Sequence, residues 1–208
     1  MPISQSKIED RSKKLAPLLW ESQCLDFGQF TLTSGQQSPY YVDLRLLPSH
    51  PELFAQATDL TVELIEAMDE DYDSICAVPT GGLPFGTLLA YKLEKSLLYV
   101  RKEGKSHGEG RKVEGKMKEG DELLVVDDII TTGGSVIDAV ESIREAGGEV
   151  DKVVVLVDRT EGATDNLSKK GIELIKVANI KPLVEELRSL GKISREMMNK
   201  VKDYLAER

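Results

Sequence analysis

Residues 123–135 read LLVVDDIITTGGS: an apolar run, Leu123 to Val126, then Asp127 and Asp128, then Ile129 and Ile130, and finally Thr131, Thr132, Gly133, Gly134 and Ser135. A near-continuous run of Leu and Val suits a strand covered on both faces, the usual condition of a parallel sheet. The acids that follow cannot be core residues unless something compensates their charge. Placed at a strand end, adjacent carboxylates can accept hydrogen bonds from vicinal ribose hydroxyls, or face a positive charge that develops on a sugar. The Thr-Thr-Gly-Gly-Ser run can then turn backbone N–H groups and hydroxyls onto a phosphate at the start of a helix, where the dipole is positive. Strand, acid pair, glycine turn and helix start together predict a sugar-phosphate site at the carboxyl edge of a parallel sheet.

Working outward, three further runs read as strands: Ser74 to Val78, Leu97 to Arg101 and Lys152 to Val157. Helical segments over Leu83 to Leu93 and Ser135 to Ala146 supply the crossovers that parallel strands require. Upstream, Ile8, Leu15, Leu18 and Leu19 mark the apolar stripe of a first helix, and Pro51 opens a second whose Leu53, Ala57, Leu60, Leu64 and Met68 recur at helical spacing. Downstream, Leu183, Leu187 and Leu190, then Ile193, Met197, Val201 and Leu205, predict two amphipathic helices. The pattern is α/β: a twisted, mostly parallel, doubly wound sheet flanked by helices.

The chain has 208 residues, 40% of them hydrophobic, enough for one well-buried core, and we expect a single domain over residues 1–208. A net charge of −9 argues against nucleic acid as a partner, so any phosphate binding must be local. No apolar run approaches the roughly 20 residues needed to span a bilayer, and the first residues lack the apolar core of a signal peptide, so a cytoplasmic protein is expected. Cys24 and Cys76 are far apart and outside any metal-ligand spacing, which predicts buried free thiols.

Because ligands of open parallel sheets sit beyond the strands' carboxyl ends, the other strand ends carry the remaining chemistry. Arg101, Lys102, Lys105 and His107 concentrate basic groups among glycines in an otherwise acidic chain. A solvated charged hairpin and a mobile lid over a pyrophosphate both fit that composition. Arg159 follows the strand ending at Val157; its planar fork suits a carboxylate, or a simple pairing with Asp158. Thr80, Gly81 and Gly82 form a turn whose N–H groups can face an anion. Phe30 to Asp43 holds two short β-like runs around a Ser-Gly turn, a hairpin or hood, with Tyr40 and Tyr41 on its second run.

The run VVDDIITTGGS closely resembles the phosphoribosyl pyrophosphate motif of the type I phosphoribosyltransferases. The segment RKEGKSHGEG, Arg101 to Gly110, resembles the catalytic loop of the orotate-specific members, and FTLTSGQQSPYYVD and DRTEG resemble two further segments of theirs. The resemblance spans roughly Leu25 to Gly162. It implies a type I phosphoribosyltransferase fold with a small hood from about residues 1–45 and a flexible catalytic loop over about 102–118. It implies that phosphoribosyl pyrophosphate is held by Arg101, Lys102, Lys105, His107, Asp127, Asp128 and Thr131 to Ser135. Lys105, His107 and Asp128 would be catalytic, and orotate would meet Thr131, Arg159, Tyr40 and Tyr41. Mg²⁺ would be carried by the pyrophosphate without a firm protein ligand, and a homodimer would share the loop across its interface. The reaction implied is transfer of ribose 5-phosphate to orotate, giving orotidine 5-phosphate and pyrophosphate in pyrimidine (UMP) biosynthesis. Relatives often carry lysine where this chain has Thr33, so Thr33 is not expected to be catalytic. Transfer to another nucleobase, and a non-catalytic sensor of phosphoribosyl pyrophosphate, are the alternatives; Arg159 and the His107 loop speak for orotate.

Overall fold

Two apolar surfaces on one sheet organise the molecule. Along strand β6 (Leu123–Ile130), Leu124 and Val126 belong to one hydrophobic cluster and Leu123 and Val125 to a second. Alternate residues of a strand face opposite ways, so both faces of this sheet are buried, which explains its unbroken apolar run. In the computed structural model, which describes residues 5–31, 35–101 and 112–206, six strands pair in the order β5-β4-β3-β6-β7-β8. They are β3 (Ser74–Ala77), β4 (Ser96–Val100), β5 (Val113–Glu114), β6, β7 (Lys152–Asp158) and β8 (Glu173–Asn179). All neighbours run parallel except β5, which pairs antiparallel to β4 through Tyr99–Glu114 and Val100–Val113.

Helix α1 (Gln5–Glu21) and helix α2 (Pro51–Glu66) cover one face, together with α3 (Gly82–Lys92) and, near the C-terminus, α6 (Ile180–Ser189) and α7 (Arg195–Ala206). Helices α4 (Gly134–Glu145) and α5 (Ala163–Ser168) cover the other. Strands β1 (Leu25–Thr31) and β2 (Gln37–Val42) form a separate antiparallel hairpin, followed by a 3-10 turn at Leu44–Ser49. Cys24 and Cys76 are free and buried, and burial pushes their thiols up to about 11 and about 12.

Three expectations need revision. The ladder of β6 continues past the acids, because Ile129 pairs with Val157 and Ile130 with Asp158, so Asp127 and Asp128 lie within the strand rather than after it. The loop expected over 102–118 gives way to strand pairing at Val113–Glu114. Strand β8 was not anticipated, since Glu173 and Lys176 interrupt its apolar pattern.

The strand order fixes where ligands can enter. From β3 the chain proceeds outward to β4 on one side, whereas β6 leads to β7 and β8 on the other, so the direction of winding reverses between β3 and β6. The turns that follow these two strands therefore diverge and leave a crevice at their carboxyl ends.

Candidate active site

At the floor of the crevice the turn after β3 packs tightly against β6. A Cβ on Gly81 would overlap the Asp128 carboxylate, and one on Gly82 would come within 2.7 Å of an Asp127 carboxylate oxygen. Only glycine permits this apposition of the turn after β3 to the acid pair. Asp127 and Asp128 are 9% and 7% exposed. The Asp127 carboxylate accepts the Asp128 backbone N–H at 2.9 Å. Burial pushes the Asp128 carboxyl above its ordinary range; hydrogen bonds from Asp127 and the Ile129 amide and the field of Arg45 oppose that shift without cancelling it.

Beyond β6 the chain turns through Thr131 to Gly133, whose φ of +87° is readily adopted only by glycine, and α4 begins at Gly134. Among the described residues no side chain caps this helix, which leaves its first amides to an anion. Asn166 of α5 donates to the Thr132 carbonyl at 3.0 Å and bolts the turn from below. Gly134 borders open space, and Ser135 is exposed.

Two cavities open near these turns, and Asp128 lines the first of them. One, of about 560 Å³, lies under the β1–β2 hairpin and is walled by Asp128, Thr131, Arg159, Tyr41, Arg45 and Gly81, among others. The other, of about 530 Å³, lies toward α4 and includes Arg101, Lys112, Ser135 and Pro79 in its walls. Arg101 reaches Glu114 Oε1 at 3.1 Å, and its amide donates to the Lys112 carbonyl at 2.8 Å, so strand β5 steadies it. The Pro79–Thr80 peptide is cis.

Arg159 does not pair with its neighbour Asp158. Asp158, 1% exposed, is taken by Lys176 of β8 at 2.5 Å and by the Thr160 amide at 2.7 Å. Thr160 adopts a φ of +58°, and the Arg159 amide donates to the Ile130 carbonyl at 3.0 Å, locking the ends of β6 and β7 together. The guanidinium is thereby left to the cavity, where Glu161 meets its Nη2 at 2.9 Å.

The two tyrosines part company. Tyr41 is 39% exposed, lies 5.6 Å from the Phe30 ring and walls the cavity under the hairpin. Tyr40 is wholly buried; the Arg159 guanidinium carbon lies over its ring at 5.3 Å. As placed, Tyr40 supports Arg159 and does not wall that cavity.

The structure thus places Asp128, Thr131, Arg159 and Tyr41 around one cavity, with Asp127 beside Asp128 on β6, while Ser135 and Arg101 line a second cavity along α4. Lys102, Lys105, His107 and Thr33 lie outside the described residues. Sequence reasoning passed over Arg45, Glu161, Lys176 and Asn166. Arg45 grips Asp43 through two bonds, at 2.6 and 2.7 Å, and holds that carboxyl below its ordinary range. The Asp-Leu-Arg triplet at the end of β2 was the available signal for it.

Comparison with known proteins identifies the family of the whole chain. A family model described as a phosphoribosyl transferase domain matches residues 46–186. The orotate phosphoribosyltransferase of Methanocaldococcus jannaschii is 44% identical over 174 residues, covering 84% of this chain and 97% of that protein. The chain belongs to the orotate phosphoribosyltransferases. Among solved members, the Aeropyrum pernix orotate phosphoribosyltransferase superposes with a TM-score of 0.72 at 36% identity, covering 85% of this chain and 99% of its own. The Mycobacterium tuberculosis orotate phosphoribosyltransferase in complex with phosphoribosyl pyrophosphate superposes with a TM-score of 0.68 at 30% identity, covering 83% and 98%. Among the described residues, no helix of this orotate phosphoribosyltransferase is long and apolar enough to cross a membrane.

Proposed function

We propose that this chain transfers the phosphoribosyl group of phosphoribosyl pyrophosphate to a ring nitrogen of orotate, releasing pyrophosphate and giving orotidine 5-phosphate for pyrimidine synthesis. The observation that carries the reading is the arrangement in one crevice of a buried acid pair, an uncapped helix start and an arginine fork turned toward the cavity.

In this reading the amides and hydroxyls of Thr131 to Ser135 hold the 5-phosphate, and Asp127 and Asp128 accept from the ribose hydroxyls. The bond from the anomeric carbon to pyrophosphate breaks as the bond to the base nitrogen forms, positive charge grows on the sugar, and the proton lost from that nitrogen passes to solvent or to the departing pyrophosphate. Asp128 faces that charge from a site of low polarity, where a carboxylate acts more strongly than in water. Arg159 binds the carboxylate of orotate in the plane of its fork, and the exposed ring of Tyr41 flanks the base. Arg101, with Lys102, Lys105 and His107 of the adjoining segment, would neutralise the departing pyrophosphate. We further propose that this segment acts in the partner's site of a homodimer.

Asp127 and Asp128 supply the hard oxygen donors that would face a Mg²⁺ ion brought in with the pyrophosphate, too few to form a protein cage of their own. Bound there, the ion would offset charge on the leaving group.

The test is to supply purified protein with Mg²⁺, phosphoribosyl pyrophosphate and, separately, orotate, uracil, adenine and hypoxanthine, following nucleotide formation. Turnover is expected with orotate alone. Turnover of a purine without orotate would overturn the reading.

A further inference from the structure

Arg159 is 8% exposed and carries a permanent charge, so its aim depends on what holds it. A guanidinium can be gripped by its edge, through hydrogen bonds, or by its face, through an aromatic ring. Gripping the face leaves the edge free for an in-plane partner such as a carboxylate. Here the guanidinium carbon lies over the Tyr40 ring, 5.3 Å from its centroid, while the edge nitrogen Nη2 meets Glu161 at 2.9 Å. Tyr40 in turn meets Tyr204 edge-on, the ring centroids 5.8 Å apart and the planes at 85°. Tyr204 belongs to α7, the last helix of the described chain, in which Val201 is the buried anchor. A line of contact therefore runs from the C-terminal helix, through the hood strand β2, to the fork at the end of β7.

We propose that Tyr40 and Tyr204 are positioning residues for Arg159, so that helix α7 sets the selectivity of the site for a carboxylated base. The inference rests on the reading of Arg159 as the orotate contact. Neither tyrosine walls the cavity that holds Asp128 and Arg159. Their effect must pass through the guanidinium, and the donor half of the site, carried by β6 and α4, should not feel it. An ordinary packing role would instead lower the fraction of folded enzyme and move all kinetic constants together.

A separate cavity of about 650 Å³, lined by Met197, Lys200 and Pro39 among others, borders Tyr204. Truncation at Tyr204 therefore enlarges an existing space instead of opening a sealed void, and the variant is expected to fold.

The experiment measures KM for orotate and for phosphoribosyl pyrophosphate, and kcat, in full-length Tyr204→Phe, Tyr204→Ala and Tyr204→Leu enzymes, alone and combined with Arg159→Ala. Tyr204→Phe keeps the ring edge and should stay within about twofold of wild type in every constant. Tyr204→Ala and Tyr204→Leu should raise KM for orotate roughly tenfold and leave KM for the donor within about twofold. In the Arg159→Ala background, the same Tyr204 changes should have no further effect on KM for orotate, as coupled residues require. Equal rises in both KM values, or additive effects with Arg159→Ala, would overturn the proposal. Should Tyr204→Ala fail to fold, Tyr204→Leu carries the test on the same terms. Absence of orotate turnover by the wild type would instead strike the functional reading itself.

Discussion

Asp128 shows what one residue contributes and what it costs. Its folded-state proton affinity is raised by burial, so the folded protein binds a proton at this carboxyl more tightly than the unfolded chain does. Stability from this group is therefore greatest at low pH and falls as pH rises from the unfolded value through the raised folded one. Asp128→Asn should remove the burden, melting at a higher temperature than wild type at pH 8, with the gap closing as the pH approaches 4. The same change should lower kcat by about 10²- to 10³-fold, because a fixed charge facing the sugar is lost. Thermal scans against pH, paired with initial rates, check both halves. A variant no more stable than wild type at pH 8 would contradict the assigned electrostatics. Gly81 explains why the acid is so enclosed: any side chain there would overlap its carboxylate.

At the level of elements, the turn after β7 depends on strand β8. Lys176 reaches across to Asp158, and together with the Thr160 amide it occupies that acid, so Arg159 meets Glu161 instead and lines the cavity. Lys176→Met would strand a buried carboxylate without its cation, at a cost on the order of 3 kcal/mol. A urea titration should show the lower midpoint, and KM for orotate should rise because the turn relaxes. An unchanged midpoint would mean that water or another cation replaces Lys176. This dependence was hidden in the sequence. The strands β3, β4, β6 and β7 were legible because their apolar runs are bounded by turns, and the donor loop because residues 127–135 carry their own chemistry locally. Strand β8 was not, since a strand at the sheet edge with Glu173 and Lys176 reads as a polar segment until its neighbour is known. The pairing of Arg159 with Glu161 instead of Asp158 was equally hidden, because both acids are close in sequence and only the turn geometry separates them. Tyr40 and Tyr41 are adjacent letters with opposite fates, and strand alternation fixes that they part without saying which is buried.

For the whole molecule, the proposed sharing of the segment around Lys105 and His107 across a dimer makes a statistical prediction. Lys105→Ala and Asp128→Asn enzymes should each be nearly inactive. In a heterodimer one site collects both defects and the other neither, so random re-pairing of equal amounts should restore roughly a quarter of the wild-type rate. Rates after co-expression or subunit exchange provide the check, and mixtures as inactive as their parents would place the segment in its own subunit's site. The reversal of winding between β3 and β6 has a further consequence for descent. In the proposed reading, donor handling belongs to β6 and α4, whereas the fork that would meet the base hangs from the end of β7, in contact with a turn held by β8 and with Tyr40 of β2, which meets Tyr204 of α7. Because the two halves meet at the bond from the Arg159 amide to the Ile130 carbonyl, side-chain changes beyond that bond are where a lineage with this sheet could exchange the base it accepts while keeping its sugar-phosphate chemistry.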